Sequence, residues 1–125
     1  IRLSFDELEI IVLAPDFYSE WVGALSTTYA IYLITDTKTG KQYVGSASGK
    51  DGLYGRWSNY VDTKHGGNKK IQLLLKRYPE RYHKFQFSIL QILPKSVTVD
   101  STGIEKVEKL WKKKLKSIEF GLNDN

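Results

Sequence analysis

The 125-residue chain has no cysteine, no methionine and only three prolines. Without cysteine, neither disulfides nor thiolate metal sites are available. No apolar run approaches the ~20 residues that span a bilayer, and no secretory pattern opens the chain, so a cytoplasmic location is expected. Internal repeats, low-complexity tracts and an interdomain linker are also missing. A chain that starts at Ile1 and lacks methionine reads as an excised domain whose flanking regions lie elsewhere. Its length suits one compact domain and is too short for two.

What is present is soluble and basic. Apolar residues make up 41% and charged residues 26%, values of a globular rather than a disordered chain. The net charge of +5 is unevenly spread. Residues 1–28 hold one basic and five acidic side chains, residues 64–84 seven basic and one acidic, and residues 104–116 six lysines and two glutamates. This polarity suits a polyanion bound on one side, or else a solvated lysine-rich surface.

Ser4-Phe5-Asp6-Glu7 has the form of a capping box opening a helix to about Val12, and a second short helix is expected over Phe17 to Leu25. Tyr29 to Ile34 is a continuous β-prone run, as in a strand covered on both faces. Thr37-Lys38-Thr39-Gly40 turns the chain into a returning strand, Lys41 to Ser46. Helices follow from Leu53 to about Tyr60 and from Asn68, a candidate cap, to Tyr78. Phe85 to Ile92 reads as a third strand, and Ser101 or Thr102 can cap a last helix from about Ile104 to Lys116. The expected fold is α+β: a small antiparallel three-stranded sheet, made of a β-hairpin plus a third strand, flanked by helices. Residues 1–28 would be an N-terminal helical decoration packed on a single compact unit, 29–125.

Two features point to chemistry. On the last helix Ile104, Val107, Trp111, Leu115 and Ile118 form one apolar stripe, and Glu108 falls inside it. A carboxylate there must be ion-paired, hydrogen-bonded or metal-bound, because burying it alone is very costly. In the hairpin, pairing Asp36 with Lys41 sets Tyr32 opposite Gly45 with Tyr43 as its diagonal neighbour, unless a bulge at Gly40 shifts the register. Two phenols would then converge beside Gly45, where a missing side chain leaves room for something to approach the sheet; alternatively they are two amphipathic tyrosines of a half-buried sheet.

Together the motifs resemble the GIY-YIG nuclease superfamily. Ala30-Ile31-Tyr32 and Tyr43-Val44-Gly45 stand where the two signature tripeptides belong, with Thr39-Gly40-Lys41 between them. Leu53-Tyr54-Gly55-Arg56-Trp57, His65-Gly66-Gly67-Asn68, Glu108-Lys109-Leu110-Trp111 and Gly121-Leu122-Asn123 follow in order. The chain departs from the pattern at Ala30, in place of the first glycine, and at Tyr60, where many relatives carry histidine four residues after the arginine.

The resemblance implies a metal-dependent DNA endonuclease. It makes Glu108 the sole protein ligand of one Mg²⁺ or Mn²⁺, a hard ion that keeps most of its waters. It makes Arg56 the phosphate clamp, Tyr32 the candidate general base and Tyr43 the residue that positions water or phosphate. His65 would assist proton transfer or contact the DNA backbone. Asn68 and Asn123 are structural, the latter closing the tail against the site. Gly45 is a point where nucleic acid approaches the sheet, and Lys41, Lys69, Lys70, Lys76, Arg77, Lys112 and Lys113 are backbone contacts to double-stranded DNA, with Lys114 beside them. Nothing resembles a base-reading motif, so specificity would come from flanking regions, a partner or DNA shape. The alternatives are a catalytically silent DNA-binding module with the same fold, and a structural domain whose basic face is incidental.

Overall fold

The structure, a computed structural model, describes residues 1–94 and 101–125. The chain runs β1 (Arg2–Ser4), α1 (Phe5–Leu13), α2 (Ser19–Ser26), β2 (Tyr29–Asp36), β3 (Gln42–Ala47), α3 (Gly52–Thr63) and α4 (Lys69–Arg77). A 3-10 turn (Arg81–Lys84), β4 (Phe85–Leu93) and α5 (Ser101–Leu115) complete it. Among the described residues no helix is long and apolar enough to cross a membrane.

The sheet has four antiparallel strands in the order β1-β4-β2-β3, which corrects the expected three. The extra strand is Arg2–Ser4, with Leu3 opposite Phe87. Three residues are too few to show strand periodicity; they become a strand only because β4, more than eighty residues later, offers them an edge. Ser4 then ends the strand and caps α1. Its side chain accepts from the Glu7 N–H (3.1 Å) while Glu7 accepts from the Ser4 N–H (2.9 Å), the reciprocal pair that satisfies two orphan donors. The second helix begins at Ser19 rather than Phe17, and Phe17 stays exposed.

The hairpin register sets Tyr32 opposite Gly45 and Ile34 opposite Tyr43. Gly40 takes φ 81°, which glycine adopts without steric cost. Asp36 anchors the turn from inside: its buried carboxylate accepts from the Lys38 N–H (3.0 Å), the Thr39 hydroxyl (2.8 Å) and Arg81 (2.9 Å). No bulge forms at Gly40. The irregularity lies between β2 and β4, where the register slips between Ile31 and Tyr32. Before the slip Phe85, Phe87 and Ile89 face the main core; after it Leu93 packs with α5.

The two sheet faces are therefore distinct. On one, Tyr32, Ile34, Ala47, Phe85 and Phe87 pack against α1, α3 and Ile71 of α4. On the other, Ile31, Val44 and Leu93 pack against Ile104, Val107, Trp111 and Leu115 of α5. Residues 1–28 contribute β1 and the buried Leu3, Phe5, Leu8, Ile11 and Leu25 to the first of these cores. The last helix starts at Ser101, so Ser101 and Thr102 lie inside it and its cap falls outside the described residues. It ends at Leu115, which takes Ile118 off the apolar stripe and leaves it exposed.

Candidate active site

Tyr32 is fully buried at the centre of an aromatic cluster formed by Tyr43, Trp57 and Tyr60. Its ring lies directly over Gly45: a Cβ added there would come within 2.4 Å of Tyr32 Cζ and Oη. Gly45 thus makes room for the Tyr32 ring, which fills the space that the sequence had suggested for nucleic acid. The tyrosine hydroxyl is held by Arg56 Nε (3.2 Å) and pairs with Tyr60 Oη (3.1 Å).

Arg56 sits on α3 with its guanidinium over the Tyr60 ring, 5.0 Å from the centroid. Besides Tyr32 it donates to Gly66 O (3.2 Å) and Asn59 Oδ1 (3.4 Å). Among the described residues no carboxylate pairs with it. Burial works against its charge, but the surrounding Tyr32, Tyr60 and Tyr43 outweigh it and hold the guanidinium firmly protonated.

Tyr60, noted in the sequence only as a departure from the family pattern and given no role there, belongs to the cluster. It lies four residues after Arg56, on the same face of α3, and that spacing was the available signal. It is completely buried, and its hydroxyl also accepts from the Asn68 side-chain amide. Asn68 occupies the N-cap position of α4 but makes no side-chain cap; its amide is spent on Tyr60 instead. His65, in contrast, turns its Nδ1 to the Gly67 N–H (2.8 Å) and the Gln72 amide (3.3 Å), and none of its hydrogen bonds reaches the aromatic cluster.

Burial is the main force on all three phenols. It pushes Tyr32 well above the usual tyrosine range, and the pull of Arg56 and the Tyr60 hydrogen bond does not offset it. Tyr43, half-buried, is raised by burial first, with Tyr60 and the negative charge of Glu108 adding to the effect. Tyr60 moves the same way, again through burial first. At neutral pH the cluster is a set of neutral hydroxyls around one fixed cation.

Glu108 stands on α5, close enough for its charge to act on Tyr43. It is 21% exposed rather than buried, and it does have an ion-pair partner: Lys112 Nζ lies 2.8 Å from Oε2, one helical turn along. An ion pair was one of the three outcomes that the position on the apolar stripe had left open, beside hydrogen bonding and metal binding. Among the described residues no group of three or more histidine or acidic side chains could hold a metal ion.

The basic residues divide into free and engaged. Lys41, Lys69, Lys76, Arg77 and Lys113 are exposed. Lys70 donates to Ile118 O (2.9 Å), and Lys112 is occupied by Glu108 and by Asn125 O (2.8 Å). Asn123 is buried and pairs twice with Val44, accepting from its N–H (2.8 Å) and donating to its carbonyl (2.9 Å).

All these cluster residues fall within 28–123, the span matched by the GIY-YIG catalytic domain. The chain belongs to the GIY-YIG family. Among solved structures, this GIY-YIG domain is similar to the catalytic domain of the intron endonuclease I-TevI, determined as a point mutant. The TM-score is 0.61 and the sequence identity 25%, over 79% of this chain and 95% of that one. No curated protein matches the sequence. The GIY-YIG span includes β2 to α5 and the C-terminal Asn123, and leaves β1, α1 and α2 ahead of it.

Proposed function

We propose that this chain is a divalent-metal-dependent DNA endonuclease that hydrolyses a phosphodiester bond with a single metal ion. The observation that carries the proposal is Arg56: a guanidinium fixed by Tyr32, Asn59 and Gly66, stacked on Tyr60, and paired with no acid among the described residues. A cation so positioned and so unneutralised is suited to grip a phosphate and stabilise charge developing in an in-line displacement. The family and the likeness to an intron endonuclease domain support the same reading.

Glu108 fits one hard cation by donor chemistry. It is a partly exposed carboxylate whose Oε2 faces Lys112, and a hard ion of this kind takes one or two carboxylates and keeps several waters. Glu108 would hold Mg²⁺ or Mn²⁺, and the ion would supply charge neutralisation at the phosphate and the leaving 3′ oxygen. Lys112 must then give up its hold on Glu108.

Tyr32 is the candidate acceptor for the proton of the attacking water. Two donors, Arg56 Nε and the Tyr60 hydroxyl, can converge on its oxygen, the arrangement that stabilises a phenolate. Asn68 occupies the Tyr60 oxygen as a donor, which frees the Tyr60 proton to point at Tyr32. Tyr43, half-buried between Tyr32 and Glu108, orients water or phosphate. Arg56 carries the phosphate, and the exposed Lys41, Lys69, Lys76 and Arg77 add salt-sensitive backbone contacts to double-stranded DNA. His65 contributes to DNA contact rather than to proton transfer, since its ring is bonded within its own loop.

A second reading, a DNA-binding module without catalysis, rests on the Lys112 ammonium already seated on Glu108. Nicking of supercoiled plasmid with Mg²⁺ or Mn²⁺, run beside Glu108→Gln, separates the two. Cleavage by the wild type alone supports the nuclease with Glu108 in its metal site. Cleavage by the mutant removes Glu108 from that role, and retardation of DNA with no cleavage by either protein favours the silent module.

A further inference from the structure

Beside Arg56, the loop that follows β3 and the start of α3 line an open cavity of about 320 Å³. Ser46, Ser48, Lys50, Gly55, Arg56 and Asn59 are among its lining residues, and none of the residues that line it is acidic. Its volume sits at the lower end of the roughly 300–1,000 Å³ found for ligand sites. Two cations, two hydroxyls and a carboxamide with no opposing charge make an anion-binding lining.

The loop is built rather than slack. Asp51 and Gly52 take successive left-handed conformations, φ 65° and 48°, to turn the chain into α3. Their positions are pinned by Gly52 N–H to Gly49 O (3.1 Å), Leu53 N–H to Thr28 O (3.0 Å) and Gly55 N–H to Asp51 O (2.9 Å). Residue 55 packs so closely that a Cβ would meet Lys50 O at 2.7 Å, so only glycine brings the helix this near the loop. Arg56 forms the wall between the cavity and the Tyr32 hydroxyl.

We propose that this cavity is a second phosphate subsite, which takes the phosphodiester adjoining the scissile one on the same strand. Lys50 and the Ser46 and Ser48 hydroxyls hold that phosphate, and Arg56 is shared between the two positions. The proposal rests on the nuclease reading for the identity of the scissile phosphate, and it adds a fixed register: the strand is gripped on both sides of Arg56.

The test is a titration of ¹⁵N-labelled wild-type protein with tetrathymidylate in EDTA at low salt, where no cleavage can occur. The expected result is that amide shifts concentrate on residues 46–55. Lys50→Ala should weaken binding about tenfold, as loss of a charged contact does, and lower the salt slope by about one. Ser48→Leu changes no charge but fills the cavity, and should weaken binding about as much while leaving the salt slope unchanged. Shifts that avoid residues 46–55 would overturn the subsite, and so would weakening by Lys50→Ala alone, which would mark it as general surface attraction. The parent shift map needs no variant, so a misfolded Ser48→Leu does not remove the test. Plasmid nicking by the wild type separates the readings: shifts at 46–55 without nicking leave the subsite and sink the nuclease, whereas nicking without those shifts does the reverse.

Discussion

Gly45→Ala is the sharpest perturbation the site offers, because it changes one methyl group and no charge. The new Cβ would lie 2.4 Å from Tyr32 Cζ and Oη and 2.9 Å from Cε1. Carbon atoms in contact keep ~3.5–4.0 Å apart, so the ring must retreat by roughly 1 Å. It has nowhere easy to go: the residue is fully buried, with Trp57 and Tyr60 rings at 6.1 and 6.2 Å on its flanks. Its hydrogen bonds to Tyr60 and Arg56, 3.1 and 3.2 Å long, would stretch beyond useful length. Overpacking of this kind costs about 1–3 kcal/mol of stability, and misplacing a catalytic group by ~1 Å costs on the order of 10² in rate. Single-turnover plasmid nicking, with thermal melting as a companion, measures both. Gly23→Ala is the control, since nothing lies within 4 Å of its Cβ inside α2; it should gain about 0.5–1 kcal/mol and leave cleavage alone. A Gly45→Ala protein that cuts within about twofold of wild type would refute the packing argument and the role of Tyr32 together.

Three further outcomes are expected. Because burial raises Tyr32 above the normal phenol range, the active phenolate fraction grows tenfold per pH unit, so log kcat should climb with unit slope to the alkaline limit of stability; a plateau near neutral pH would assign the base elsewhere. Asp36→Ala strips the partner from nearly buried Arg81 and should cost about 3–5 kcal/mol. At roughly 2.1 cal/mol/K per residue over 125 residues, that is a fall in Tm of about 12 °C or more, and a drop under about 4 °C would show the pair to be dispensable. The Asp6 hydrogen bond raises the exposed His83 above its ordinary value, so its stabilising effect is complete below the unfolded-state pKa and fades as pH rises through the folded one. Asp6→Asn should weaken that pH dependence in the melting curve, leaving the smaller part due to Glu80, and an unchanged profile would dismiss the Asp6 pair.

What the sequence made legible was local. The capping box of α1 is read from Ser4 and Glu7, and the hairpin register follows from where the Asp36–Lys41 turn closes, because turn length and the period of two leave one solution. Asp36 shows the limit: its turn was readable, but its Arg81 partner lies 45 residues away and nothing local announces it. β1 was hidden for the same reason, since Arg2–Ser4 is a strand only in the company of β4. In the site, the two signature tripeptides placed Tyr32 and Tyr43 in one cluster, whereas the part played by Asn68 was obscured by its position as a helix cap. The Glu108–Lys112 pair stood at i,i+4 spacing in plain view. The apolar stripe left that pairing open as one outcome, but it suggested a deeper burial than the 21% exposure of Glu108 allows.

The C-terminal tail has a mechanical consequence. β3 is an edge strand, and its spare hydrogen-bonding groups are taken up by Leu122 and Asn123: Leu122 N–H on Gln42 O (2.8 Å), and the Asn123 carboxamide on both groups of Val44. Gln42 and Val44 flank Tyr43, and Val44 adjoins Gly45. Besides these three bonds to the strand, the tail is held by Lys112 on Asn125 O and by the burial of Leu122 and Asn123; as a chain end it still opens at lower free energy than the sheet behind it. Tension applied beyond residue 125 therefore reaches Tyr43, and the corner of the main core that Leu122 fills, before it reaches the central strands. The rigidity of the site is, in this sense, set from its last residues inward.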